Sequence, residues 1–189
     1  ILERTVLLAE QLQDRCKQSV PIVGSFSVVH QDLDKFFSDY SQLLSPFSQK
    51  GVEVLPQWLP PIAWYFGGSV QLEAMNNLRD VELIKLNQLS ICMDVCHLIM
   101  GRNFSGFSAD TLLNDLDSNI KHIHIADARG IDGEGIDFGD GEPENIDLIR
   151  RAFDFDTMKV IEVWQGHLDR GAGFHRAIKK LAEVINEKS

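Results

Sequence analysis

The chain has 189 residues, a formal net charge of −10 and a sequence pI near 5.0. That length suits a single domain over residues 1–189, and the charge repels polyanions. No basic run is present to follow a phosphate backbone and no apolar run approaches the roughly 20 residues that span a bilayer, so neither nucleic acid nor membrane is an expected partner.

The opening ILERTVLLAEQLQDRC has amphipathic spacing and predicts a helix over Leu2 to Cys16. VPIVGSFSVV from Val20 reads as a buried strand running into a loop that holds His30. Asp32 to Ser48 reads as the next helix, because Leu33, Phe36, Phe37, Tyr40, Leu43, Leu44 and Phe47 recur every three or four positions, as one buried face requires. Val52 to Gln57 reads as the second strand. The WLPPIAWYFGGS that follows is expected to be irregular, since Pro60 and Pro61 remove ladder donors. Its Trp58, Trp64, Tyr65 and Phe66 either wall a substrate pocket or pack beneath the loop. Leu78 to Asn87 then reads as a helix, Ser90 to Val95 as a strand, and Ser108 as the cap of a helix running to about Leu116. After the strand that holds His122 and His124, Pro143 begins a helix, Lys159 to Trp164 is the last strand, and Gly173 to Asn186 closes the chain as a helix. Strands alternating with helices in this way predict a parallel sheet.

The stretch IKHIHIADARGIDGEGIDFGD, Ile120 to Asp140, carries the clearest chemical signal. Side chains alternate along a strand, so His122 and His124 share one face while Ile123 and Ile125 enter the opposite apolar layer. Upstream, SICMDVCH sets Cys92, Asp94 and Cys96 on one face with His97 at the strand's carboxyl end. Downstream, KVIEVWQGH places Glu162 in a β-branched run. Asp94, His124 and Glu162 thus stand at or near the ends of three strands, 30 and 38 residues apart, spacings that fit one strand, helix and return per interval.

On these pieces, the D-x-x-H of Asp94 to His97, the H-x-H-x-x-D of His122 to Asp127 with its following GEG, and the I-E-V of Ile161 to Val163, the chain resembles the second half of a xylose-isomerase-like TIM barrel. That superfamily holds sugar isomerases, sugar epimerases and metal-dependent apurinic-site endonucleases. The resemblance implies a partial barrel of five parallel strands alternating with helices, its first three strands absent, since a full barrel typically takes about 250 residues. It also implies a divalent metal, manganese, magnesium, cobalt or zinc, held by Asp94, His124 and Glu162. The family's fourth ligand is a Glu at the end of the strand in GVEVLPQWLPP, and here that place is Gln57, an uncharged amide that weakens the site. Glu53 shares the face of Gln57 but lies about 13 Å down the strand.

The implied activity is isomerisation or epimerisation of a small sugar or sugar phosphate through an enediolate, with Glu162 as the base and His97 holding a substrate hydroxyl. In the epimerases it resembles, two glutamates face each other across the substrate, so Gln57 leaves three readings open: a one-base isomerase, a metal site that binds sugar without turnover, or a silent binding or assembly domain. The endonuclease branch uses a further D-x-H after the seventh strand, and no histidine lies between His124 and His167. A looser similarity to segments of sialic-acid-synthase-type enzymes makes the rest of a longer chain, or another copy of this one, an expected partner.

The remaining candidates each carry a plainer alternative. His122 is expected to be a hydrogen-bonded interior residue, and Asp127 to fix the turn or to contact His124 from behind. The run DGEGIDFGDGE suggests a flexible lid. Arg170, Gly171 and Gly173, in GHLDRGAGF ahead of a helix, form a weak phosphate signal, since glycine before a helix is common for steric reasons. Cys16, Cys92 and Cys96 lack framework spacing, which points to reduced thiols and a cytoplasmic setting. The latter two read as core thiols, a C-x-x-x-C zinc pair lacking visible partners.

Overall fold

A computed structural model describes residues 2–25, 32–65 and 67–186, so His30 and Phe66 lie outside the described residues, as does the side chain of Tyr65. In chain order the elements are α1 (Leu2–Cys16), β1 (Ile22–Gly24), α2 (Leu33–Ser48), β2 (Val54–Pro56), β3 (Ile62–Tyr65), β4 (Gly68–Gln71), α3 (Leu78–Leu86), β5 (Ile91–Asp94), α4 (Val95–Ser105), α5 (Ala109–Asp115), β6 (Ile120–Ile125), β7 (Asp127–Arg129), β8 (Gly133–Ile136), α6 (Asn145–Arg151), β9 (Met158–Ile161) and α7 (Leu168–Asn186).

Parallel pairing joins β1 to β2, β5 to β6 and β6 to β9. A single parallel bridge between Gln57 and Cys92 links the first pair to the three-stranded sheet. The described residues form no closed barrel. Within the sheet, Met93 lies opposite Ile123, and both side chains are buried in one apolar cluster with Leu98 and Ile99 of α4 and Leu112 of α5. The alternate positions, Cys92, Asp94, His122 and His124, face the other way, so the apolar layer holds the sheet against its helices and leaves the polar face for chemistry. No helix among the described residues is long and apolar enough to cross a membrane.

Several segments differ from what the sequence suggests. The strand after Val20 is confined to Ile22–Gly24 and is only partly buried, because it pairs on one side alone among the described residues. Leu43, expected on the buried face of α2, is 54% exposed. Residues 58–69 are not irregular throughout: the prolines stop at Pro61, and β3 and β4 then form an antiparallel hairpin whose turn has Gly67 at φ 87°, a backbone that glycine adopts freely. The acidic glycine-rich run is not a loose lid either. It folds as the β7–β8 hairpin, with Asp127 at its base accepting from the backbone N–H groups of Ala128, Gly139 and Gly141 and from Asn145 Nδ2.

Helix α4 is the largest surprise, because it begins directly where β5 ends. Its first seven residues, Val95 to Gly101, are all buried, so the amphipathic period that betrays a surface helix is missing. What starts it is Asp94, whose Oδ1 accepts from the backbone N–H of His97 at 3.1 Å. What ends it is Gly106 at φ 72°. His97 therefore sits in the first turn of a helix rather than in a loop.

Helix α3 shows the same economy at a second buried carboxyl. Asp80 Oδ2 accepts from the N–H groups of Asn76 and Asn77 at 2.8 and 3.1 Å, while Oδ1 is buried with no partner among the described residues. Burial pushes the Asp80 carboxyl up to about 6, against the lowering pull of those N–H groups. A carboxyl raised in the folded state favours folding most below its unfolded value and loses that contribution as pH rises through the folded one. Chemical denaturation between pH 4 and pH 8 should thus show stability declining through about pH 6 by a component that Asp80→Asn removes. Asp80→Ala, which orphans one buried and one part-buried donor, should destabilise by about 1–3 kcal/mol at any pH in that range.

Candidate metal centre

Parallel register brings the candidate ligands together. Asp94 lies opposite His124 between β5 and β6, and Ile125 opposite Ile161 between β6 and β9, so Glu162 projects one residue beyond the sheet beside His124. Gln57 follows β2 and bridges to Cys92. Four residues from four parallel strands thus meet at the strands' carboxyl ends, where α/β sheets place their sites.

The contacts among them are short. His124 Nδ1 lies 2.6 Å from Glu162 Oε2, Gln57 Nε2 donates to Asp94 Oδ2 at 2.7 Å, and ligand atoms of Asp94, His124 and Glu162 all fall within 4.8 Å of one another. Gln57 Nε2 also lies 3.2 Å from His124 Nδ1. Those contacts compete, because an Nδ1–H that donates to Glu162 turns its hydrogen, not a lone pair, toward the amide donor. Two oxygens and an imidazole nitrogen set around one point, with a donor amide in conflict among them, fit a divalent cation that would accept electron pairs from all three ligands.

Charge follows the same geometry. The hydrogen bond from His124 holds the Glu162 carboxyl below the usual carboxylate range, against partial burial. Burial pushes the Asp94 carboxyl up, opposed chiefly by the positive charge of His97. His97 Nδ1 donates to the Trp58 carbonyl at 2.8 Å, and its Nε2 lies 3.0 Å from Glu134 Oε1. Burial alone would lower His97, but the carboxylates of Asp94 and Glu134 and the Trp58 carbonyl outweigh it and raise it to about 9. His97 is thus an imidazolium with both ring nitrogens engaged, and a substrate hydroxyl would reach it only by displacing Glu134.

A cavity of about 490 Å³ opens beside this network, lined by Ala63, Trp64, Leu72, His97, Glu134 and Trp164 among others. A smaller one of about 280 Å³ shares Glu134 and Trp164 and adds Glu162. Trp64 and Trp164 are 62% and 73% exposed, whereas Trp58 is fully buried in the core. The aromatic loop therefore contributes one tryptophan to the packing and one to the cavity.

Other candidates fall elsewhere. Arg170, Gly171 and Gly173 line neither cavity. Asp169, Arg170 and Gly171 have left-handed backbone (φ 48°, 61° and 80°), which interrupts the helix start that would present N–H groups to a phosphate. Gly173 serves packing, since a Cβ there would meet Gly166 Cα at 2.7 Å. Asp127 fixes its own hairpin through the four contacts described above. Glu53 is exposed and away from the centre. His122 is interior, as expected, but its Nδ1 has no hydrogen-bond partner among the described residues. Sequence reading missed Glu134, Trp164 and Ser25, whose Oγ donates to Gln57 Oε1 at 2.9 Å; only the GEG motif hinted at the first.

Comparisons agree with this architecture. The profile described as a xylose isomerase-like TIM barrel matches residues 1–186. An uncharacterized protein of Methanocaldococcus jannaschii is 23% identical over 160 residues, which cover 85% of this chain and 53% of the relative, so the chain spans about half that protein's length. Among solved structures, the probable 3-DHS dehydratase AsbF of Bacillus anthracis, involved in petrobactin synthesis, superposes with a TM-score of 0.67 at 16% identity, covering 99% of this chain and 72% of that one. A D-tagatose 3-epimerase-like protein gives 0.58 at 17% identity, with 89% and 63% covered. A xylose isomerase domain protein of Planctomyces limnophilus gives 0.60 at 14% identity, with 87% and 57% covered. At these identities the structural likeness establishes the fold.

An added carboxylate at position 57 tests the centre directly. Gln57→Glu should tighten Mn²⁺ binding, read by isothermal titration, by about tenfold or more, because one more anion then faces the cation across a partly buried gap. Without metal the same change should lower thermal stability, since the new charge faces Asp94 Oδ2, now 2.7 Å from the amide. Unchanged Mn²⁺ affinity would place the ion elsewhere.

Proposed function

The chain belongs to the xylose isomerase-like TIM barrel family, and on that basis we propose that it takes a small sugar or sugar phosphate at a divalent metal and moves a proton beside the substrate's carbonyl. The observation that carries this reading is the convergence of Asp94, His124 and Glu162 within 4.8 Å at the ends of three parallel strands. Asp94, His124 and Glu162 would hold the ion, with Gln57 as a neutral fourth neighbour. Bound there, a manganese, magnesium, cobalt or zinc ion supplies Lewis acidity toward the carbonyl oxygen.

The protein's own groups divide the rest of the work. Glu162, anionic at neutral pH and 58% exposed in its side chain, removes the proton from the carbon next to the carbonyl and returns it to the neighbouring carbon of the enediolate. His97 orients Glu134, whose carboxylate lines both cavities and is placed to accept from a sugar hydroxyl. Trp64 and Trp164 offer exposed aromatic walls to the apolar face of a sugar ring. Gln57 neither takes up nor releases a proton, which favours one-base isomerisation over two-base epimerisation.

That same amide supports a second reading, a sugar-binding or assembly domain that retains the cavity without turnover. Incubating the chain with Mn²⁺ and a panel of aldoses, ketoses and their phosphates in deuterated water separates the two. Deuterium appearing next to the carbonyl, lost by at least 100-fold in Glu162→Gln, is expected for the enzyme. Binding of sugar and Mn²⁺ with no exchange above the Glu162→Gln background would establish the silent domain instead. Trp64→Ala should raise KM about tenfold with a smaller change in kcat, since it removes wall contacts made equally in ground and transition states.

A further inference from the structure

Beneath the oxygen-rich centre, on the same inner face of the sheet, β5 and β6 assemble a second set of donors. Cys92 lies directly opposite His122, and His124 follows His122 on the same face. The Cys92 sulfur and one ring nitrogen from each of His122 and His124 lie within 4.8 Å of one another. The two imidazoles meet edge to face, with ring centroids 5.3 Å apart at 78°.

His122 supplies an independent observation that points to a ligand. The residue is 5% exposed, yet its Nδ1 has no hydrogen-bond partner among the described residues, and burying a polar atom unpaired is unfavourable. A fold carries such an atom more readily where a ligand satisfies it. Cys92 is fully buried and in no disulfide, and its sulfur takes a hydrogen bond from the His124 backbone, which leaves lone pairs for coordination.

We propose that Cys92, His122 and His124 form a site for a thiophilic cation of the zinc class, one pleat below the oxygen-rich centre. Zinc takes sulfur at about 2.3 Å and imidazole nitrogen at about 2.0–2.1 Å in a tetrahedral arrangement, which sets neighbouring donors roughly 3.5 Å apart. Donors that lie within 4.8 Å of one another must therefore draw together on binding. Binding releases the thiol proton to solvent, because a coordinating thiol is deprotonated outright by the ion, and the fourth position remains for water. His124 belongs to both sets of ligands, so an ion in the sulfur site draws a ligand away from the oxygen site. Occupancy by zinc then weakens manganese binding without touching Asp94 or Glu162.

The full chain carrying Cys16→Ser, which removes the exposed thiol, is the material for the test. Titration with Co²⁺ alone should give thiolate-to-cobalt charge-transfer absorption in the near ultraviolet, saturating at one equivalent. Cys92→Ser should abolish the band and His122→Asn should weaken binding at least tenfold, while Cys96→Ser, Asp94→Asn and Glu162→Gln leave the band in place. Its absence from the parent, or its persistence in Cys92→Ser, would overturn the proposal. Loss of the band in Asp94→Asn would put that carboxylate in the cation's ligand set beside Cys92 and overturn the proposed set of donors equally. Should Cys92→Ser fail to fold, Zn²⁺ must slow alkylation of Cys92 in the parent by at least tenfold but not in His122→Asn; equal rates in both overturn the assignment. Failure here leaves the Mn²⁺ and deuterium-exchange results for the upper site untouched, since those are read through Gln57 and Glu162, which lie outside the sulfur set.

Discussion

The parallel register of β5 against β6 is the constraint from which the chemistry of this protein derives. Pairing Met93 with Ile123 commits both to the apolar layer under α4 and α5, and by alternation commits Asp94, His124, Cys92 and His122 to the opposite face. A slip of one residue would bury the carboxylate and imidazoles in the apolar cluster and turn the isoleucines to the cavity. Hydrophobic burial of about 1.5–3 kcal/mol for each such side chain therefore fixes the ligand positions as well as the fold.

Asp94 is where stability and chemistry are joined most tightly. One carboxylate oxygen caps α4 through the His97 N–H, while the other takes the Gln57 amide and faces His97 Nδ1 at 3.3 Å. The cap places His97 at the start of the helix, and His97 in turn reaches from the Trp58 carbonyl to Glu134. A chain of hydrogen bonds thus runs from a strand end through a helix start to a hairpin, holding the cavity wall relative to the ligands. Both neighbouring segments, the Trp58 loop and the β7–β8 hairpin, are anchored by polar contacts to one imidazolium rather than by apolar packing alone.

Much of this arrangement was legible in the residues themselves. Helix α2 announces itself by three-and-four spacing, α5 by the capping Ser108, and the H-x-H strand by its alternation. Helix α4 was hidden because its first seven residues are buried on every side, so no period distinguishes it from a buried strand. The two hairpins were obscured by proline and glycine, which mark turns as readily as irregular loops. At the site, motif and spacing pointed to Asp94, His124, Glu162 and Gln57, each at a strand end. Glu134, Trp164 and Ser25 needed coordinates, since their neighbours lie 30 or more residues away along the chain, as Ser25 and Gln57 show with a separation of 32. Glycines 171 and 173 resembled an anion cradle in one dimension, but left-handed backbone and the approach of Gly166 give them a steric purpose in three.

The hydroxyl of Ser25 gives the amide at position 57 a freedom that a carboxylate there would not have. In the present arrangement the hydroxyl donates to Oε1 while Nε2 points at Asp94. A half-turn about the last side-chain bond exchanges the two atoms, and the hydroxyl, which accepts as well as it donates, keeps its partner by rotating its own hydrogen. The amide could thereby reverse its pole, showing a donor edge to Asp94 as it does here and a carbonyl edge were a cation bound, with no movement of the main chain required.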